Sequence, residues 1–184
     1  HVLCESPITL SELRTKELFE LAENNNLILM EAIKTAYATA FSRLLLLIKG
    51  GKIGKIISID ATCTSLSKTD WSGFYEWAPT ALLPIFEMIG VVYEKKIITH
   101  KDDIGNDLFT RIDFVFDHSV ASIKVGDGIK SEGQLIISGN RGYIYVPAPW
   151  WKTDYFEIRY ENINENKRYF YQLEGEGIRN ELVG

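Results

Sequence analysis

The sequence predicts an α+β fold: helices on one face of an open, mainly antiparallel sheet, preceded by a single βαβ unit. Three observations carry that expectation. From residue 97 to 173 the chain alternates apolar and polar residues in runs of strand length, bounded by turn signals such as Asp117-His118 and Gly139-Asn140-Arg141-Gly142. Between residues 33 and 88 two stretches follow helical periodicity, enough to cover one side of such a sheet. The first 32 residues read as strand, helix and strand.

His1 to Cys4 is short, apolar and β-compatible, and Pro7 closes it by removing a backbone donor and holding Ser6 extended. Thr9-x-x-Glu12 has capping-box spacing. Leu10, Leu13, Leu18, Leu21 and Ala22 then form one apolar helix face that ends near Asn24-Asn25-Asn26. Leu27 to Met30 is a second buried strand. Strand, helix and strand at this spacing imply parallel pairing, in a sheet whose other strands the sequence does not supply.

A second helix is expected over about Ile33 to Lys49, with Ala36, Ala40, Leu44, Leu47 and Ile48 facing inward and Gly50-Gly51 as its stop. Ile53-Gly54 leads into a strand from Ile56 to Cys63. Ser65 to Tyr75, with Trp71 and Gly73, loses periodicity and reads as an irregular loop. Pro79 is expected to open a third helix to about Met88, kinked at Pro84. The strands that follow are Leu108 to Phe116, Ser119 to Val125, Gly133 to Ser138, Gly142 to Val146, Tyr155 to Tyr160 and Tyr169 to Leu173, most simply an antiparallel meander.

Composition narrows the function. The 184 residues are 46% hydrophobic and 12% aromatic, a globular composition able to bury a core. A net charge of -5 argues against nucleic acid, and Lys49 to Lys55 and Lys95-Lys96 read as solvated turns. Cys4 and Cys63 sit in apolar strand patterns, so both are expected reduced and buried, which fits the cytoplasm. The longest apolar run, Leu44 to Ile48, is too short to span a membrane, and no His, Cys or acidic cluster has metal-ligand spacing. His100 and His118 read as strand-end and turn residues.

An apolar strand stopping at Glu5-Ser6-Pro7, a helix, and a second apolar strand ending in Met30-Glu31-Ala32 resembles the exit from the nucleotide-binding domain of the Gfo/Idh/MocA family of NAD(P)-dependent oxidoreductases. The resemblance extends through Gly51-Lys52-Ile53-Gly54-Lys55-Ile56, similar to the family's link from helix to first sheet strand. It implies that residues 1–32 are the last βαβ of a Rossmann domain and residues 33–184 a C-terminal substrate-binding and oligomerisation domain. It further implies NAD or NADP as cofactor of the full-length protein, a sugar-like or polyol substrate, and a homo-oligomer formed through the sheet face. The fragment alone is expected to be inactive, since it has no G-x-G-x-x-G turn. A family member that has lost its chemistry and uses the fold to bind a sugar or a protein is the alternative.

The pattern departs from the family at its chemical centre. Ser6 stands where Glu-Lys-Pro has lysine, and Glu76-Trp77-Ala78-Pro79-Thr80 where the family has Asp-x-Gly-x-His or Asp-x-Gly-x-Tyr. Hydride exchange with an alcohol needs a group to handle the hydroxyl proton, which neither Ser6 nor Thr80 can do unaided. Lys34, at a position that lines the cleft in relatives, could restore the lost cation; a solvent-facing lysine in a first helical turn is the plain alternative. Tyr37 could be a proton donor beside Lys34, or a packing residue. Glu76 could be a base if enclosed by Trp71, Tyr75 and Trp77, or an acid placed to suit the helix dipole. The catalytic candidates are therefore Lys34, Glu76, Thr80 and Tyr37. By resemblance Glu5, Ser6 and Pro7 border the cofactor, with simple structural capping as the rival for Glu5. Trp150-Trp151 could stack on a sugar ring or cover the sheet.

Overall fold

The computed structural model describes residues 1–67, 73–90 and 94–171. Val2–Glu5 (β1), Glu12–Asn24 (α1) and Leu29–Ala32 (β2) form a βαβ unit whose strands pair in parallel, Val2 against Leu29 and Glu5 against Ala32. Lys34–Tyr37 (α2) and Thr39–Lys49 (α3) follow, then Ile56–Ser65 (β3) and Gly73–Met88 (α4). Seven more strands follow among the described residues: Glu94–Lys101 (β4), Asp107–Val115 (β5), Val120–Asp127 (β6), Leu135–Gly139 (β7), Tyr143–Val146 (β8), Tyr155–Arg159 (β9) and Lys167–Phe170 (β10). They join β3 in an eight-stranded sheet of order β10-β9-β8-β7-β3-β6-β5-β4.

The sheet is mainly antiparallel but is not one meander. The β4-β5-β6 and β7-β8-β9-β10 meanders flank β3, which pairs in parallel with β6 (Asp60 opposite Ser122) and antiparallel with β7 (Asp60 opposite Ile136). Being central suits β3, whose residues 61 to 64 are buried on both faces. On the covered face Ile59, Ile123, Ile137, Ile144, Phe156 and Ile158 are at most 1% exposed, and Phe41 and Leu44 of α3 and Ala81 and Ile85 of α4 close over them. Burying each large apolar side chain contributes roughly 1.5–3 kcal/mol, so this layer dominates the fold. Edge strand β4 is exposed throughout and carries Lys95, Lys96 and Lys101, charges that discourage further strand pairing.

Several expectations are corrected. Ser11, not Thr9, is the N-cap of α1: it is extended (φ −136°, ψ 123°) and its Oγ accepts from the Arg14 N–H at 3.5 Å, while Thr9 Oγ1 folds back on the Ser11 backbone. The helix expected over residues 33–49 breaks at Ala38 (φ −64°, ψ 131°), which turns the chain from the end of β2 onto the sheet. Its stop is as expected, Gly51 taking φ 72°, open to glycine without strain. α4 begins at Gly73, six residues before Pro79, and holds both prolines; each removes only one internal N–H donor. Cys63 is buried and burial pushes its thiol pKa far up, but Cys4 is only half-buried; both are free. Residues 68–72 of the expected loop, Trp71 included, and residues 172–173 of the last expected strand lie outside the described residues.

Candidate active site

Parallel pairing brings the carboxyl ends of β1 and β2 together, and α2 starts two residues beyond β2, so Glu5 and Lys34 become neighbours. Lys34 Nζ lies 3.8 Å from Glu5 Oε1, with side chains 41% and 80% exposed. So loose and solvated a pair contributes at most about 1 kcal/mol and leaves the ammonium free to meet another partner. Ser6 is held differently: its Oγ donates to Glu31 Oε1 at 2.6 Å. Pro7 is half-buried beside it. The Tyr37 hydroxyl donates to Met30 Sδ at 3.0 Å, which lays the half-buried ring on β2.

α2 is tied to α4 through the segment after β8. Buried Thr35 donates through Oγ1 to the Trp151 carbonyl at 3.2 Å, and the Trp151 ring meets Trp77 of α4 edge-on, centroids 4.9 Å apart at 61°. The two tryptophans are placed differently. Trp150 is 2% exposed, packs on Phe41 and donates its Nε1–H to the Thr62 carbonyl, a core residue; Trp151 is half-buried and links α2 to α4. Thr80 is half-buried one turn beyond Glu76, and Glu76 itself is exposed. Among the described residues no hydrogen bond or ion pair joins Glu76 or Thr80 to Lys34.

No motif singled out Asp127. It ends β6 and is 8% exposed, with Oδ1 buried and without a hydrogen-bond partner among the described residues; Trp77 Nε1 is another such buried atom. Gly73 sits directly on it: a Cβ there would fall 1.9 Å from Asp127 Cβ and 2.5 Å from Oδ2. Its only signal was the pair of flanking residues, Gly126 and Gly128, which marks any strand end.

The uncovered face of the sheet carries a second cluster. Glu157, 13% exposed, takes hydrogen bonds from Arg159 (2.7 Å) and Arg168, and these guanidiniums lie over Tyr145 at 4.5 Å and Tyr155 at 5.2 Å. Burial alone would raise the Glu157 carboxyl, but the two arginines hold it below its ordinary value. Among the described residues no three His, Cys, Asp or Glu side chains cluster as a metal site would require, and no helix is long and apolar enough to cross a membrane.

No protein-family model matches the sequence, and no curated protein matches it significantly. Solved structures do match. KijD10, a 3-ketoreductase from Actinomadura kijaniata in an open conformation with TDP-benzene and NADP, superposes at TM-score 0.84 and 16% identity over 100% of this chain and 60% of its own. An NAD binding oxidoreductase from Klebsiella pneumoniae gives 0.79 and 15% over 93% and 54% of the two chains. An oxidoreductase from Agrobacterium radiobacter in complex with NAD+, L-tartaric acid and magnesium gives 0.77 and 14% over 98% and 59%. The chain spans less than two thirds of each. It has the fold of the C-terminal portion of such NAD(P)-dependent oxidoreductases, the fold that the resemblance to the Gfo/Idh/MocA family implied.

Proposed function

We propose that this chain is the substrate-binding and oligomerising portion of an NAD(P)-dependent oxidoreductase that exchanges hydride between the nicotinamide and a sugar-like or polyol substrate. Residues 1–32 close its nucleotide-binding domain and residues 33–184 form the substrate domain. The observation that carries this reading is Lys34, an ammonium at the carboxyl ends of parallel strands, the end at which α/β sheets present ligands, 3.8 Å from Glu5 and one residue from the Thr35–Trp151 link to α4.

The chain suits one end of the cofactor. Glu5, Ser6 and Pro7 are placed to border a nicotinamide, but the sequence has no G-x-G-x-x-G turn for a pyrophosphate, so NAD or NADP depends on residues beyond this chain and the chain alone is inactive. When bound, the nicotinamide supplies or accepts the hydride. The protein's part is to orient the reacting oxygen and stabilise its charge, for which Lys34 provides the cation that Ser6 does not. Tyr37, on leaving Met30, and Glu76 are the candidates for handling the proton, with Thr80 able only to relay one between them and the substrate. The uncovered sheet face, with its arginines and tyrosines, is the proposed homo-oligomer surface, and the free cysteines suit the cytoplasm.

In the full-length protein Lys34→Ala should lower turnover on the best polyol or sugar substrate about 100-fold, as expected for losing a transition-state charge partner. Stability should change by less than about 0.5 kcal/mol, since the side chain is partly exposed. Ser6→Lys, placed beside Glu31, should recover part of the activity in that background. Unchanged turnover in Lys34→Ala counts against the reading. The second reading, a non-catalytic sugar or protein binder, is favoured by Ser6 being tied to Glu31 and by Thr80 lacking a titrating group; it predicts sugar binding without turnover in the full-length protein.

A further inference from the structure

We propose that a corner of the sheet at the turn between β7 and β8 is a second ligand site, one that holds a sugar phosphate: Arg141, Arg159 and Tyr143 take the phosphate and Glu161 takes a sugar hydroxyl. The proposal does not rest on the oxidoreductase reading, and either can fail without the other.

Tyr143 opens β8 between Ser138 of β7 and Arg159 of β9, its register partners on either side. Around these strand ends lies a depression of about 380 Å³, open to solvent and lined by Ser138, Arg141, Tyr143, Arg159, Tyr160 and Glu161. It is at the other end of β8 from Trp151, the residue that Thr35 of α2 is bonded to, and so is separate from Lys34. Its frame is fixed. The turn is clamped to residues 52–55: the Lys55 N–H donates to Asn140 Oδ1 at 2.9 Å, the Asn140 N–H to the Lys55 carbonyl at 3.1 Å and the Arg141 N–H to the Ile53 carbonyl at 3.0 Å. Two glycines permit the approach, since a Cβ at Gly139 would fall 2.1 Å from the Ile53 carbonyl oxygen and one at Gly142 2.8 Å from that of Arg159.

This frame gathers donors that the fold itself does not use. Among the described residues no hydrogen bond or ion pair engages the Arg141 guanidinium, or the ammonium groups of Lys52 and Lys55 on the adjoining segment. Arg159 is used in part: Nε and Nη2 reach Glu157 at 2.7 Å, whereas Nη1 is 3.4 Å from the Tyr143 hydroxyl, near the limit of a hydrogen bond. The Tyr143 oxygen accepts there, which leaves its own O–H free to donate. Two donors that close, on the wall of one depression, suit neighbouring oxygens of a single anion. In a chain of net charge -5, this lining sets two arginines against one carboxylate, Glu161.

Phosphate suits these donors, because its oxygens accept from several directions and guanidinium forks match them in pairs. Phosphate alone fills little of a depression whose size is that of a small-molecule site. Glu161 can accept from a hydroxyl, and the Tyr160 ring, anchored by its hydroxyl bond to the Lys52 carbonyl at 3.1 Å, offers an aromatic face to a pyranose.

The test is 15N NMR of the 184-residue chain at constant ionic strength, titrated separately with D-glucose 6-phosphate, inorganic phosphate and D-glucose. D-Glucose 6-phosphate should shift the Asn140, Arg141 and Gly142 amides saturably, inorganic phosphate should shift the same amides with weaker affinity, and D-glucose should leave them in place. Arg141→Ala should weaken D-glucose 6-phosphate binding about tenfold or more, the loss expected for a bond to a charged group, and Arg141→Lys should restore it only in part. The melting temperature of unliganded Arg141→Ala should match wild type, since the guanidinium gives up no bond. Absence of a saturable shift up to about 10 mM D-glucose 6-phosphate, or binding unchanged in Arg141→Ala, would overturn the site. Inorganic phosphate binding as tightly as D-glucose 6-phosphate would overturn the sugar phosphate assignment.

Discussion

The βαβ unit and the eight-stranded sheet are built from similarly apolar patterns, yet their apolar faces meet different fates. In the sheet, Ile59, Ile123, Ile144 and Phe156 are completely buried under α3 and α4. In the βαβ unit no residue of α1 is buried, and Leu13, Leu21 and Ile28 stay 67%, 60% and 63% exposed. An apolar depression of about 370 Å³, lined by Val2, Ile8, Leu18, Leu21, Leu27 and Leu29, opens there. Two four-residue strands and one helix cannot supply the second layer that such a face needs. Periodicity thus reports which face is apolar, and the number of layers within reach decides whether it is covered.

The sharpest way to break this comparison is a matched pair of truncations. Phe156→Ala should cost about 3–5 kcal/mol by chemical denaturation, and Leu21→Ala less than about 0.5 kcal/mol. Comparable losses would mean that the α1 face is covered in solution and that the contrast is false.

The sheet's uncovered face offers the next test. If it is an interface, the chain should sediment as an oligomer at micromolar concentration, and Tyr145→Ala, by removing a large aromatic contact, should weaken association by about 2 kcal/mol. A clean wild-type monomer would leave that face as uncovered as α1.

Glu157 probes the same face within one subunit. Its folded carboxyl is held below the ordinary range by Arg159 and Arg168, so its stabilisation is fully present above the unfolded-state value and is lost as pH falls through the lower folded value. Stability should therefore fall on acidification below about pH 5. Glu157→Gln should remove about 1 kcal/mol at neutral pH together with that part of the acid sensitivity. An unchanged acid profile would assign the cluster no energetic role. The smallest signal is expected from the βαβ unit: calorimetric titration of this chain with NAD or NADP should show no binding, and micromolar affinity would mean that the unit holds a nucleotide without a glycine-rich turn.

Much of this was legible in the chain. The strands at Tyr143–Val146 and Tyr155–Arg159 fall within one residue of their expected limits, because alternation and turn residues are local signals. The break at Ala38 and the early start of α4 were not legible: Thr35 is drawn to Trp151, 116 residues away, and Gly73 to Asp127, 54 residues away (127 − 73), contacts that override local propensity. At the site, motif order put Lys34 at the cleft beside Ser6, and it lies 3.8 Å from neighbouring Glu5; Glu76, weighed as an enclosed base or as an acid suiting the helix dipole, is exposed, which favours the second. The packing of Gly73 on Asp127 was illegible, since nothing local distinguishes an acid at a strand end.

By itself the sequence determined most of the elements and their order, though not β4 or the break at Ala38, together with the apolar face of each, the parallel pairing of the first two strands and the absence of a pyrophosphate-binding turn. Only the tertiary structure decided that β3 lies between β6 and β7, that Trp150 enters the core while Trp151 bridges α2 and α4, and that Asp127 lies under the start of α4. The reason is range: side-chain periodicity is set by a residue's immediate neighbours, whereas strand order and burial follow from which distant surfaces can cover one another.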